Sequence, residues 1–179
     1  ALAGVGFVRL DQDRPEEAEA LFMECQQANI QANNPVMAAV ALMNAGTAAA
    51  RKGDQQTALA RRKAALATLQ SQPQPNPVAV GLSKYKLADS YAATGDLKMA
   101  LEMETDAAAT IRKIRVESHP QRLGVEINLG LITALSGDPQ AGIALARPAA
   151  LRMEAESRKL EVAQVKTTAD EQQSAMLGE

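Results

Sequence analysis

Few side chains in this sequence could carry out chemistry, and their spacing argues against catalysis. One cysteine, Cys25, and one histidine, His119, stand far apart, so neither a thiol–imidazole pair nor the usual His/Cys zinc set can be drawn from them. The carboxylate pairs Glu16-Glu17 and Glu102/Glu104, and the basic run Arg61-Arg62-Lys63, fall within amphipathic stretches and read as solvated helix faces. His119 precedes Pro120 at a segment junction and reads as a surface loop residue, with a proton-transfer or metal role as the rival. Cys25 reads as a small packing residue, and the seven methionines as core filling. No nucleophile, base and orienting group come together, so the chain is expected not to be an enzyme and to need no metal or cofactor.

The elements that hold these residues are read from composition first. Of 179 residues, 46% are hydrophobic and 22% charged, as in an ordinary globular chain, but only 2% are aromatic. Alanine, the strongest helix former, is abundant throughout, which points to an all-α fold rather than a sheet wanting β-branched and aromatic residues. The formal net charge of −2 sets up no field for a polyanion, and stacking platforms for bases are scarce, so nucleic acid is not an expected partner. No apolar run approaches the roughly 18–20 residues needed to span a bilayer, so no membrane partner is expected either. The chain reads as cytoplasmic. It begins Ala1-Leu2-Ala3 in what reads as mid-helix, which suggests a piece of a longer protein and leaves an upstream signal or membrane segment open.

The strongest organising feature is a repeat. Gly53-Asp54, Gly95-Asp96 and Gly137-Asp138 recur at a constant interval of 42 residues. Before them stand the pairs Ala45-Gly46, Leu87-Ala88 and Leu129-Gly130, with Val5-Gly6 in a first copy whose turn is at Asp13. After them follow two columns of small residues, Ala18/Ala58/Ala100/Gly142 and Cys25/Ala65/Ala107/Ala149. Small residues at fixed offsets are what two antiparallel helices need where their backbones come closest. Pro35, Pro77 and Pro120 suit the first turn of a helix, and Asp54, Asp96 and Asp138 suit N-caps, with Pro139 at N1. Pro148 should kink or restart the last helix.

This pattern resembles the tetratricopeptide repeat (TPR), with Leu87, Ala88, Tyr91, Gly95, Ala100 and Ala107 as the best-matched copy. The departures are Arg62, Glu104 and Ala146 at the aromatic place of the second helix, and a repeat longer than the usual ~34 residues. Extended repeats of this length resemble those of kinesin light chains, spindle-orientation adaptors and bacterial regulatory proteins. The resemblance implies a right-handed superhelical solenoid of antiparallel helix hairpins, with repeats at about 1–34, 35–76, 77–119 and 120–159. A helix over 160–177 is expected to cap the last hairpin, with Gly178 as its stop.

The resemblance also implies a binding face. First helices of the family line the concave groove, and an asparagine just before the apolar-small pair can hold an extended peptide by its backbone. Asn44, Lys86 and Asn128 occupy that place here. A side-chain amide can pair with a main-chain carbonyl and amide as a neighbouring strand would, and Lys86 would favour a carboxylate or phosphate. The competing reading is that both asparagines bond to adjacent helices or water. Groove positions by the same geometry include Met43, Thr47, Arg51, Tyr85, Asp89, Ile127 and Leu131, with Phe7, Leu10, Val40, Leu82 and Leu135 beside them. A ligand with an apolar end and an acidic or polar middle would be complementary. Met43 and Tyr85 stand where carboxylate-capturing members need a cation, which argues against a co-chaperone role. The expected function is a non-catalytic scaffold for a protein or extended peptide. A self-association (homodimer) module and the ligand-sensing part of a kinase or transcriptional regulator are the alternatives.

Overall fold

A computed structural model of the chain describes the backbone of residues 2–177 and the side chains of residues 2–161. It contains α1 (Leu2–Asp11), α2 (Pro15–Gln31), α3 (Pro35–Arg51), α4 (Gln55–Gln70), α5 (Pro77–Ala93), α6 (Leu97–Ile114), α7 (Pro120–Leu135) and α8 (Pro139–Leu177). The described residues form no strand.

Local chemistry sets most of these boundaries. Proline opens α2, α3, α5, α7 and α8, where its missing amide hydrogen has no intrahelical partner to lose. The amides of the first turns donate to Asn34, Asp54, Asn76, Asp96 and Asp138 side chains. His119 does the same work for α7, its Nδ1 accepting from the Gln121 amide at 3.1 Å. The turn within each hairpin takes a left-handed residue: Gly53 and Gly95 at φ 87°, Gly137 at φ 109°, and Asp13 at φ 56° in the first hairpin. Asp is among the few side-chain-bearing residues that visit this region readily, which lets the first copy turn without glycine.

Consecutive helices pack antiparallel, and each second helix also packs on the first helix of the next hairpin. The small-residue columns lie at these crossings. Ala18, Ala58, Ala100 and Gly142 are buried, and a Cβ added to Gly130 would come within 2.5 Å of the Gly142 carbonyl oxygen. α3 touches α5 and α5 touches α7, whereas the second helices make no comparable contact with one another among the described residues. The first helices therefore lie on the inside of the bend.

Cys25 is only half-buried, unlike Ala65, Ala107 and Ala149 in its column. In the second hairpin Ala65 is covered by Ala39 of α3. The segment expected to cap the last hairpin is the continuation of α8, which runs through Pro148 as one helix. Gly178 lies outside the described residues. No described helix is long and apolar enough to cross a membrane.

Two expectations are corrected. Arg62 and Glu104, read as parts of solvated faces, are buried, at 3% and 0% exposure. They stand four residues after Ala58 and Ala100, one helical turn on, and so share the core-facing side of α4 and α6. The same place in the first hairpin holds the buried Phe22, and in the fourth Ala146. A column that is apolar at both ends of the solenoid thus carries two charged groups in its middle.

Candidate functional site

The two terminal nitrogens of the buried Arg62 guanidinium find partners on α3 and α5, whereas its Nε is buried without one. Its Nη1 donates to the Lys86 carbonyl (2.7 Å) and to Ser90 Oγ (2.8 Å), and its Nη2 to Thr47 Oγ1 (3.3 Å). One guanidinium thereby ties α4 to both α3 and α5. Glu104 lies on the other side of α5. Asn128 Nδ2 donates to Glu104 Oε2 (3.1 Å) and to Asp89 Oδ1 (2.9 Å), so a single amide bridges two carboxylates. Lys86 Nζ is 3.8 Å from Asp89 Oδ2 and 4.5 Å from the centre of the Tyr85 ring.

Burial sets the electrostatics of this cluster. Loss of water around Glu104, with Asp89 close by, pushes its carboxyl up to about 8. Burial likewise raises Asp89, although Lys86, Arg62 and Asn128 pull it back. Lys86 is lowered, first by burial and then by Arg62, against the pull of Asp89. The Tyr85 hydroxyl, desolvated and facing Asp89 and Glu104, is pushed up to about 12 and stays a neutral donor.

Beside this cluster the inner face is hollowed. A cavity of about 370 Å³ is lined by Met43 of α3, Leu82, Tyr85 and Lys86 of α5, and Pro120, Gln121 and Gly124 of α7. A second depression, about 320 Å³, shares Met43 and Leu82 and extends to Val40, Val78 and Arg115. The two form one mostly apolar trough across three first helices, with Lys86 and Arg115 as its cations.

The expected binding residues divide. Met43, Tyr85 and Lys86 line the trough. Asn44 is half-buried and makes no hydrogen bond among the described residues, whereas Asn128 is held by Asp89 and Glu104. Thr47 serves Arg62, and Arg51 Nη1 donates to the Leu10 carbonyl at 3.0 Å, binding α3 to the end of α1. Ile127 and Leu131 line a different depression, between α7 and α8. Gln121 and Gly124 border the trough without having been singled out from sequence. The signal for Arg62 and Glu104 was their place: two charges 42 residues apart in an aromatic column.

No known family profile matches the chain, and no curated protein matches it. Among solved structures, a crystal structure from Podosopora anserina of nearly identical TPR-like repeats assigned to a kinesin light chain is similar to it. The TM-score is 0.71 at 17% sequence identity, covering 83% of this chain and 71% of that one. The likeness shows the fold, a TPR-like solenoid of helical hairpins.

Proposed function

We propose that this chain is a non-catalytic scaffold that holds an extended peptide or partner segment along its first-helix face. The trough shared by α3, α5 and α7 carries the reading, because it is apolar, spans neighbouring repeats and has Lys86 at its edge. An apolar side chain would fill the space between Met43, Leu82 and Gly124, removing their surface from water. An acidic residue beside it would meet Lys86, whose ion pair with Asp89 is long enough to exchange partners. The free amide of Asn44 would engage the peptide backbone on the α3 side. Asn128 serves the scaffold rather than the ligand.

Gly124 supplies the test. A Cβ there would meet only the Tyr85 hydroxyl, at 4.0 Å, so Gly124→Leu starts from an open backbone position, adds side-chain volume to the cavity and removes a flexible residue from a helix. On an array of apolar-acidic peptides, the native chain should select a subset that Gly124→Leu no longer binds, with thermal stability unchanged or raised. Equal binding by the two chains, or no peptide selected by either, would overturn the reading.

A further inference from the structure

The cation of the trough reaches into the buried cluster. Lys86 lines the cavity with 35% of its side chain exposed, and its Nζ lies 3.8 Å from Asp89 Oδ2. The other Asp89 oxygen and Glu104 Oε2 both accept from Asn128 Nδ2. Two carboxylates gathered on one amide nitrogen are close enough for each to oppose the other's charge. Glu104 is fully buried, and its Oε1 has no hydrogen-bond partner among the described residues. A carboxylate oxygen left bare in the interior is costly, so the pair shares a proton. Burial pushes the Glu104 carboxyl up to about 8, which places release of that proton in the neutral to mildly alkaline range.

The surroundings decide which group can sense the trough. Glu104 faces Asp89, Lys86 and Tyr85 from α5 and Asn128 from α7, while Arg62 of α4 acts on Asp89. On α6 itself the places one turn away are Ala100, Leu101, Ala107 and Ala108, which carry no charge. Arg62 is buried and committed to the Lys86 carbonyl, Ser90 and Thr47. Of these charged groups, only Lys86 also borders the trough.

The Lys86 ammonium favours the ionised form of both carboxylates. A peptide carboxylate that draws Lys86 to itself weakens that support and adds a negative charge beside the pair. On the reading of the trough given above, we infer that an acidic peptide is bound together with a proton, which Glu104 and Asp89 hold between them while Lys86 turns to the peptide carboxylate. The coupling is reciprocal: the peptide raises the proton affinity of the pair, and a proton on the pair frees Lys86 for the peptide. Affinity is therefore highest below the pH at which the pair ionises and falls above it.

The experiment uses a peptide selected from the apolar-acidic array, with a single Asp and with acetylated and amidated ends, so that the peptide itself does not titrate above pH 6. Its Kd is measured by calorimetry from pH 6.5 to 9 on the native chain and on Glu104→Gln. A rise of about one unit in the proton affinity of the pair is about tenfold in Kd, so the native chain should bind about tenfold more weakly at pH 9 than at pH 6.5. Glu104→Gln, which cannot ionise, should lose most of that dependence. On the native chain, carbon-13 NMR of the Glu104 carboxyl should show its titration moving to higher pH when the peptide is bound. Equal pH dependence in the two chains, or a Glu104 titration that the peptide does not move, would overturn the coupling and leave the trough reading standing. No peptide bound at any pH would overturn the trough reading, and the coupling with it.

Discussion

Glu104 gives the sharpest energetic test of the buried cluster. Its folded carboxyl is raised to about 8 from an ordinary value of 4.5, first by desolvation and then by Asp89. Between those values the folded chain holds a proton that the unfolded chain releases, so Glu104 makes stability fall as pH rises through that window. At one pKa unit to ~1.4 kcal/mol, the loss at pH 7 is about 3 kcal/mol, the order of magnitude being what matters. Glu104→Gln keeps the shape and an oxygen for Asn128, removes the ionisation, and offers an amide where Oε1 has no partner. Urea unfolding of both chains at pH 5, 6, 7 and 8 isolates Glu104 together with the groups it is coupled to, Asp89, Lys86 and Tyr85, because groups remote from this cluster cancel in the difference. Glu104→Gln should match the native chain near pH 5 and exceed it by about 2–4 kcal/mol at pH 8, roughly 5–15 °C in Tm for a chain of this size. A difference that does not change with pH, or a variant less stable throughout, would mean that Glu104 is ionised and compensated in the folded protein.

Two backbone predictions follow from the hairpin geometry. Gly130→Ala places a Cβ 2.5 Å from the Gly142 carbonyl oxygen and should lower stability by about 1–3 kcal/mol, read from the urea midpoint. Gly124→Ala, with no neighbour nearer than 4.0 Å, is its control and should not destabilise. At Gly95 (φ 87°), Gly95→Ala should cost about 1–2 kcal/mol, while Gly95→Asn, which tolerates this conformation as Asp13 and Asn33 do, should recover most of the loss in a thermal melt.

The fold was legible because it is written in residues that act locally. Prolines, N-capping Asp and Asn, and Gly-Asp turns mark the helix ends, and three columns of small residues mark the crossings. The site was less legible because charge is a poor guide to depth. Arg62 looked like a member of a basic run, yet its neighbours on the chain differ: Arg61 is half-buried and pairs with Glu19, while Lys63 is exposed. Only the column, one turn after Ala58, separates Arg62 from them. Asn128 illustrates a second limit. Its register places it in line with Asn44 and Lys86, but register says nothing of the carboxylates that arrive from α5 and α6 to engage it. Cys25 illustrates a third: its column is a packing column, but cover comes from the neighbouring helix, and the column alone does not say how much of it Cys25 receives.

The central claim, that partners are held on the inner face by the trough between α3, α5 and α7, is tested most directly by site-specific photo-crosslinking. A photoreactive residue at Gln121, on the trough, is compared with one at Glu102, on the exposed side of α6. With a peptide selected by the native chain, crosslinking should be strong at 121 and absent at 102, and excess unlabelled peptide should abolish it. Crosslinking at 102 equal to or above that at 121 would contradict the account.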